Sequence, residues 1–399
     1  MPEETKKPEI VLSQDQEAAL EKMRIWWEWI SNKENKVNTG GTASQALRIQ
    51  HEWKNKQVFY LTGYAGTGKT TLISFFRDKF IKSSCIIHAA FTGKAALQMS
   101  RAGCPGARTI HSLIYRLADD SGKELVWELN QDSDLIDARL LILDECSMVS
   151  KEIGEDLLSF NVPILVLGDP GQLPPISGTG FFTNRVADSK LTQVHRQALN
   201  NPIIAFATDI RSGKGLGRRD LDQLQVYSNS KNSLSEYDQI LVGYNKTRIK
   251  INERSRAALG FINSKIPVKG DKIICTRNNA RAGLFNGTMG IVTEDSISED
   301  GIVKLSFDST EGRHYKDVLV HAECFEPNRE ELLKRLPNME RFQLNEFDYG
   351  YAITVHKAQG SQWDSVLLLD DSFLCWDREE RRRWLYTAVT RAAEEYLTT

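Results

Sequence analysis

The chain has 399 residues, of which 41% are hydrophobic and 26% are charged, a composition that fits a globular protein with two or three domains. No apolar run approaches the roughly 18 residues that a membrane span requires, and the charged segment 1–10 shows no secretory signal. The net charge of −2 argues against nucleic-acid binding by the surface as a whole, so such binding requires a local cationic groove.

The first predicted element is a helix over residues 13–30, because Ser13 is a favourable N-cap and Gln16 stands three positions later. Residues 31–50 are polar, which predicts a loop. The helix carries three tryptophans that we expect to pack in the core rather than to stack on nucleic acid, namely Trp26, Trp27 and Trp29.

Short apolar runs then alternate with helical patterns along the chain. They occupy residues 57–62, 84–90, 139–144, 162–167, 238–243 and 365–369. Runs of this length with helices between them are typical of buried parallel strands, so the sequence predicts an α/β architecture.

Two segments interrupt this pattern. Residues 263–345 are rich in short β-like pieces, glycine and charge, which predicts a small β domain inserted into the second α/β unit. Residues 112–137 are too few for a domain, but two apolar runs flank a turn-like stretch at 118–124. This pattern predicts a protruding hairpin, and a surface loop is the alternative.

Two stretches, 245–256 and 265–281, concentrate cations and are candidates for the local groove, although a solvated helix face explains each equally well. The cysteines form no C-x-x-C pair, so zinc is not expected and reduced thiols are the default. Their positions are 85, 104, 146, 275, 324 and 375.

A phosphate-binding loop is indicated by Gly63-Tyr-Ala-Gly-Thr-Gly-Lys-Thr70, which follows an apolar strand and precedes an amphipathic helix. Glycines in such a loop allow backbone N–H groups to surround phosphates at a helix N-terminus. Lys69 is expected to reach the β- and γ-phosphates, and Thr70 to hold Mg²⁺. The predicted cofactors are therefore ATP and Mg²⁺, and the predicted nucleotide-binding residues of the loop are Gly63, Ala65, Gly66, Thr67, Gly68, Lys69, Thr70 and Thr71.

Two further strand ends complete the predicted catalytic site. Four apolar residues precede Asp144 and Glu145, so that Asp144 is expected to hold Mg²⁺ and Glu145 to polarise the attacking water. An acid that caps a helix is the alternative for this pair. Another apolar strand ends in Gly168-Asp-Pro-Gly-Gln-Leu-Pro-Pro175, where Gln172 is a candidate sensor of the γ-phosphate or part of an ordinary turn.

Together these blocks resemble motifs I, II and III of superfamily 1 DNA helicases, specifically of the RecD-like and phage Dda-like group. Leu12-Ser-Gln-Asp-Gln16 resembles the adenine-reading motif of that group, which implies Gln14 as the reader. Leu191-Thr-Gln-Val-His-Arg-Gln197 resembles the motif that supplies an arginine to the γ-phosphate, here Arg196. Tyr386-Thr-Ala-Val-Thr-Arg391 resembles motif VI, which implies that Arg391 stabilises the transferring phosphoryl group.

Other blocks resemble the strand-binding motifs of the group. These are His88–Ala96, which is similar to motif Ia, Thr109-Ile-His111, and Tyr351–Ser361, which is similar to motif V. Phe91 stands where the group usually has proline, and Gln362 where many members have glutamate. The residues expected to contact nucleic acid are Phe91, Thr92, Lys94, His111, Thr354, His356 and Lys357. For His356 and for Trp363 a purely structural role is the alternative.

The resemblance implies two RecA-like P-loop NTPase domains, an SH3-like insertion in the second and a hairpin insertion in the first. The expected boundaries are 1–190 for the first domain, 191–262 with 346–399 for the second, and 263–345 for the inserted β domain. It further implies a cytoplasmic, monomeric motor in a bacterial or phage-infected cell, acting on single-stranded and forked duplex DNA in replication or repair. A replication or single-strand-binding protein is a candidate partner.

Two activities follow from these patterns. The first is an ATP-dependent helicase that moves 5′ to 3′ on single-stranded DNA and separates duplex, with the direction given only by the resemblance. The second is a translocase or regulatory DNA-stimulated ATPase that separates no strands. A small-molecule kinase with a P-loop is disfavoured, because a second α/β unit with a β insertion does not supply an acceptor pocket and lid.

Overall fold

The computed structural model of the chain describes residues 12–32, 43–81, 85–117, 127–174, 180–194, 201–213, 237–279, 282–326, 328–336, 344–371 and 377–398. Arg196 and the turn-like stretch 118–124 lie outside these residues. Within the described helices, none is long and apolar enough to cross a membrane.

The chain enters the fold through helix α1, Gln14–Ile30. The prediction of its start is confirmed, because the Gln16 side-chain oxygen accepts from the Ser13 backbone N–H at 3.0 Å, as in a capping box. Trp26 and Trp27 are buried in the core of the first α/β unit, as expected.

The predicted loop over residues 31–50 is wrong for its second part, where helix α2, Ala43–Lys56, is present. Among residues 47–56, the part of this helix whose side chains are described, Trp53 alone is buried, and Leu47 is 67% exposed. This described part of the helix lacks the apolar periodicity on which a sequence-based prediction of helix depends.

The first α/β unit is built on a six-stranded parallel sheet with the order β3-β2-β6-β7-β1-β8. Its strands are β1 Val58–Gly63, β2 Ile86–Ala90, β3 Arg108–Thr109, β6 Leu140–Asp144, β7 Ile164–Gly168 and β8 Ser189–Leu191. The helices between them are α3 Lys69–Phe80, α4 Gly93–Arg101, α5 Ile110–Ile114 and α6 Lys151–Ser159, with short 3₁₀ turns at Asp134–Asp137 and Cys146–Met148. The predicted parallel strands are confirmed here, and the carboxyl ends of β1, β6 and β7 meet at one edge.

A small antiparallel ribbon projects between α5 and β6. It pairs β4, Tyr115–Leu117, with β5, Trp127–Leu129. The Tyr115 hydroxyl donates to Asp156 of α6, and Arg116 forms an ion pair with Glu128 across the ribbon at 2.8 Å. The base of the ribbon is therefore fixed to the first α/β unit.

The second α/β unit has a four-stranded parallel sheet with the order β16-β9-β17-β18. Its strands are β9 Gln239–Val242, β16 Ala352–Thr354, β17 Trp363–Leu369 and β18 Ala392–Thr398. Its helices are α7 Pro202–Ser212, α8 Asn245–Ala258 and α10 Arg378–Val389, with a 3₁₀ turn at Phe261–Asn263. Trp384 of α10 is fully buried at the centre of this unit.

A separate antiparallel sheet lies between α8 and β16 in the chain. Its strands are β10 Lys272–Cys275, β11 Met289–Val292, β12 Ile297–Glu299, β13 Ile302–Ser309, β14 His314–His321 and β15 Phe347–Tyr349. The 3₁₀ turn Ala322–Phe325 and helix α9, Arg329–Arg335, lie between β14 and β15 in the chain. Because β15 pairs with β10, the sheet extends past the boundary predicted at residue 345.

Buried polar groups join this β sheet to the second α/β unit. The Gln239 amide donates to the backbone oxygens of Gly350 and Tyr351 at 3.2 and 3.0 Å, and Arg256 forms an ion pair with the fully buried Asp271 at 2.9 Å. Because each of these groups would be costly to leave unpaired, the network fixes the orientation of the inserted sheet.

Candidate active site and nucleic-acid channel

The phosphate-binding loop lies between β1 and α3, as predicted. Gly66 and Gly68 have φ angles of 75° and 72°, a backbone conformation that favours glycine. The Lys69 ammonium donates to the backbone oxygens of Gly63 and Tyr64 at 2.6 and 3.1 Å. The lysine therefore lies over the loop at the place where phosphates are bound in such motifs.

Helix α1 contacts this loop through Gln16 rather than Gln14. The buried Gln16 amide donates to the backbone oxygen of Thr67 at 3.1 Å, whereas Gln14 is exposed at the start of the helix. The sequence predicted Gln16 only as a capping residue, and neither its residue type nor its spacing indicated the contact with Thr67. The role of Gln14 as adenine reader stays a prediction.

Asp144 and Glu145 lie together at the end of β6. Burial, and next the charge of Glu145, raise the pKa of Asp144 to about 6, and the cations of Lys69 and Arg391 oppose this shift. Glu145 has a φ of 52°, in the left-handed region, and its backbone N–H donates to the Asp144 carboxylate at 2.8 Å. Strained non-glycine residues of this kind cluster at functional sites.

The predicted magnesium ligands fit that ion by chemistry. Asp144 offers a carboxylate at the end of β6 and Thr70 a hydroxyl at the start of α3, both hard oxygen donors at the same edge of the sheet. Mg²⁺ keeps several waters and binds through one or two protein groups together with substrate phosphates, so two protein oxygens suffice.

Gln172 lies in the loop after β7 and bridges the two α/β units. The Gln172 amide is oriented so that its nitrogen faces an acceptor and its oxygen faces a donor. The nitrogen then donates to Glu145 at 3.0 Å, and the oxygen accepts from Arg391 at 3.1 Å. The side chain is 7% exposed. Gln172 is thus in contact with both the acid expected to orient water and the arginine expected to stabilise the phosphoryl group.

Arg391 follows α10 and belongs to the second unit, yet it faces the first. The residue is 5% exposed, and its guanidinium lies 3.7 Å from Glu145 and donates to the backbone oxygens of Thr387 and Ser361. A surface salt bridge, which is the bland explanation for such an arginine, is excluded by this burial. The cleft between the units therefore holds both halves of the predicted catalytic set.

A second cavity, of about 390 Å³, lies where the two α/β units and the inserted sheet meet. Six of the seven residues expected to contact nucleic acid line it, namely Phe91, Thr92, Lys94, His111, His356 and Lys357. The remaining one, Thr354, is 9% exposed and accepts from the Lys357 backbone N–H at 3.4 Å, so it supports the turn beneath the cavity.

Aromatic and cationic groups of this channel are paired with one another. Phe91 and His111 form an edge-to-face pair at 5.8 Å, and burial lowers the pKa of His111, so its imidazole is neutral at pH 7. The Lys94 ammonium lies 3.7 Å from the ring centre of Trp363, and burial lowers its pKa to about 7. Trp363 is 8% exposed within the core, which supports its structural role.

One acid from the inserted sheet also faces this channel. The Glu311 carboxylate reaches the first residue of α4, where a side chain on Gly93 would come within 3.1 Å of its Oε1. Burial raises the pKa of Glu311, and the charge of Lys94 opposes that shift. The channel thus contains a negative charge next to the groups expected to bind phosphates.

Comparisons with known proteins agree with this geometry. The AAA domain family matches residues 41–231, and the UvrD-like helicase C-terminal domain family matches residues 349–397. The RecD2 DNA helicase of Deinococcus radiodurans is 26% identical over 90% of this chain and 49% of its own length. The Dda helicase of phage T4 is 35% identical over 39% of this chain and 38% of its own. The Pif1 helicase of Campylobacter jejuni is 25% identical over 84% of this chain and 86% of its own.

The chain is related to superfamily 1 helicases of the RecD-like and Dda-like group. It spans about half the length of RecD2 and about a third of the conjugal transfer proteins TraA that it also matches. Among solved structures, a Bacteroides Pif1 helicase with ADP–AlF₃ and single-stranded DNA has the same fold, with a TM-score of 0.56 and 20% identity over 98% of this chain and 92% of that chain.

Several residues of this helicase-like cleft were missed by sequence reasoning. The Thr387 hydroxyl accepts from the Leu173 backbone N–H at 2.9 Å, and the Gln359 amide donates to the Leu173 oxygen at 2.7 Å. Tyr386 contacts both Ala65 and Asp169. These residues stand inside the motif blocks, but their residue types alone give no sign that they cross the cleft.

Three cations of the candidate stretches 245–256 and 265–281 are turned into the fold rather than into a groove. Arg248 and Arg256 are buried in ion pairs with Asp348 and Asp271. Lys272 donates to the Gln239 side chain, and burial lowers its pKa to about 8. These described cations hold the inserted sheet to the second unit instead of facing nucleic acid.

Proposed function

We propose that the chain is an ATP-dependent DNA helicase that moves 5′ to 3′ on single-stranded DNA and separates duplex. The observation that carries the proposal is the contact between Arg391 of the second α/β unit and Glu145 of the first, beside the phosphate loop. A nucleotide bound between two bodies can change their relation, and this change is what converts hydrolysis into motion.

The roles of the cleft residues follow from their positions. Lys69 and the loop amides bind the phosphates, and Thr70 and Asp144 hold Mg²⁺. Glu145 orients and polarises the attacking water, while Gln172 links it to Arg391. Arg391 forks onto the phosphoryl oxygens as they gain charge, as arginine does at phosphate sites. Gln14 as the adenine reader and Arg196 as a second arginine complete the proposed site.

Binding of a single strand is assigned to the channel where three parts of the molecule meet. Phe91 and His111 offer stacking surfaces, and Lys94 and Lys357 offer cations, which is the combination that single-strand binding requires. Relatives named DNA helicases, and Pif1 structures described with single-stranded and forked DNA, support DNA as the substrate.

The finer architecture is also part of the proposal. The two parallel sheets are assigned to RecA-like domains and the antiparallel sheet to an SH3-like insertion. The ribbon of β4 and β5 is assigned as the pin that splits duplex, since its base is fixed to the first unit and it lies in the expected segment 112–137. The motor is proposed to act as a monomer in the cytoplasm, with a replication or single-strand-binding protein as partner.

The deciding experiment compares forks with only a 5′ tail or only a 3′ tail, with ATP turnover measured in parallel. We expect single-stranded DNA to stimulate ATP hydrolysis and the 5′-tailed fork to be unwound. Lys69→Ala serves as the matched control for contaminating ATPase. Stimulated hydrolysis without unwinding of either fork would instead identify the translocase, and hydrolysis without stimulation would reject both.

A further inference from the structure

The hydroxyl of Tyr386 has a position in the cleft that the roles above do not explain. Tyr386 belongs to α10 of the second unit and is 2% exposed. Its hydroxyl accepts from the Ala65 backbone N–H of the phosphate loop and donates to the Asp169 carboxylate, both at 2.8 Å. One oxygen of the second unit therefore bonds the phosphate loop and the end of β7 at the same time.

The surroundings place this hydroxyl at the phosphate end of the cleft. The Lys69 ammonium donates to the Gly63 and Tyr64 oxygens of the same loop, and its charge lowers the pKa of Asp169 against the larger effect of burial. The lysine of such a loop is the residue that reaches the β- and γ-phosphates. A group bonded to Asp169 and to a loop amide is therefore close to where the terminal phosphate binds.

The chemistry of the group suits an anionic ligand. Burial, and next the charge of Asp169, raise the pKa of the Tyr386 hydroxyl well above its usual value, so it remains a proton donor. Hydrogen bonds to charged phosphate oxygens are stronger than those between neutral groups. The ring cannot retreat easily, because Gly171 packs on it so closely that a side chain there would come within 2.9 Å.

We propose that Tyr386 is a specificity-determining residue that distinguishes ATP from ADP by donating a hydrogen bond to the terminal phosphate. This inference rests on the proposed function of the cleft. When the terminal phosphate enters, the Tyr386 O–H turns from Asp169 to a phosphate oxygen. With ATP bound, this hydrogen bond holds the second unit against the phosphate loop. With ADP bound, the Tyr386 hydroxyl donates to Asp169 again.

This role differs from that of Arg391. The arginine contacts Glu145 and Gln172, where water is expected to attack, whereas Tyr386 contacts the phosphate loop itself. Two groups at the end of α10 thus reach across the cleft. We assign Arg391 to the reacting phosphoryl group and Tyr386 to recognition of the nucleotide state.

The test is Tyr386→Phe, which removes one oxygen and keeps the ring on Gly171. Dissociation constants are measured by fluorescence for mant-ADP and for the non-hydrolysable mant-AMP-PNP, each with Mg²⁺. We expect the preference for the triphosphate over the diphosphate to fall about tenfold, the scale of one hydrogen bond to a charged acceptor. Because the preference is a ratio measured on one preparation, partial loss of folded protein does not alter it.

Thr387→Val is the matched control, since it removes another hydrogen bond of the same helix to the loop after β7, at Leu173. It is expected to change both affinities by the same factor. If Tyr386→Phe also changes both equally, or changes neither, the inference is overturned. Failure of the helicase proposal is recognised separately, by the absence of DNA-stimulated hydrolysis in the unmodified protein.

Discussion

The nucleotide cleft and the nucleic-acid channel lie between the same two α/β units but differ in how their groups are held. In the cleft, Arg391 and Tyr386 are nearly inaccessible, and each makes hydrogen bonds across the interface. In the channel, Lys94 rests on Trp363, and the Glu311 carboxylate lies at the start of α4. The channel has a directed bond across the units, from the Thr92 hydroxyl to the Gly360 oxygen at 3.3 Å, whereas its charged groups Lys94 and Glu311 are held by contacts that a strand can displace.

The difference follows from what each region must admit. A nucleotide is small and charged, so buried donors set in advance gain strength from the low local dielectric. A polymer must enter and move past the channel, so groups there have to exchange partners at little cost. Substitutions in the cleft should therefore alter chemistry with little effect on strand affinity, and those in the channel the reverse.

Arg391→Ala gives the largest expected effect. An arginine that acts on the transferring phosphoryl group contributes about 10³-fold or more to turnover, so kcat should fall by that factor. Affinity for nucleotide should change far less, because the guanidinium acts mainly on the transition state. Single-turnover hydrolysis with saturating single-stranded DNA measures the rate, and hydrolysis at the unmodified rate would make this arginine purely structural.

Glu145→Gln comes next. Loss of a positioned base slows hydrolysis by about a hundredfold or more, while ATP binding should remain. Fluorescent nucleotide titration and phosphate release separate the two effects. Weak nucleotide binding with normal turnover of the bound fraction would contradict the assignment of Glu145 to the attacking water. It would also show that the hydrogen bonds of the cleft do not hold its groups in fixed positions.

Lys94→Arg tests the channel through pH. Because burial lowers the pKa of Lys94 to about 7, its charge is present below that pH and is lost as the pH rises. Strand phosphates favour the charged form, so affinity for single-stranded DNA should fall about fivefold between pH 7 and 8.5. Arginine keeps its charge, so the variant should show a nearly flat profile.

One neighbouring group titrates in the same window, since burial lowers the pKa of Lys272 to about 8 and its charge acts on Lys94. The Lys94→Arg variant retains Lys272, so the difference between the two profiles reports Lys94. Burial lowers the pKa of His111 and of His356, so both are neutral above pH 7, and burial raises the pKa of Glu311. Lys269→Arg, at an exposed lysine in the turn before β10, is the control and should keep the unmodified profile. Identical profiles for Lys94→Arg and the unmodified protein would remove Lys94 from the phosphate contacts.

Glu311→Gln should have the smallest effect and the opposite sign. Removing an acid that competes with phosphates at α4 should tighten single-strand binding about threefold at low salt, and the gain should vanish at high salt. Glu299→Gln changes an exposed acid of the same sheet and is the matched control. Weaker binding by the Glu311 variant would show that this carboxylate contacts the strand favourably.

Much of the fold could be predicted because local patterns report it directly. Apolar runs of about six residues report buried parallel strands, and Ser13 with Gln16 reports a helix start. Helix α2 was missed because, among its described side chains at 47–56, Trp53 alone is buried and no apolar periodicity is present. The cations of 245–256 were ambiguous for a related reason, since an arginine in a buried ion pair and one in a groove look the same in a sequence.

The sequence by itself determined the chemical groups of the nucleotide site and their order along the chain, because a phosphate loop and strand-end acids depend on spacing within short segments. Only the tertiary structure decided which groups meet. It placed Gln16 on Thr67, Tyr386 on Ala65 and Arg391 near Glu145, and it placed Glu311 among the strand-binding residues. Contacts between segments that are 51 to 321 residues apart arise from the packing of whole units, and no local pattern encodes them.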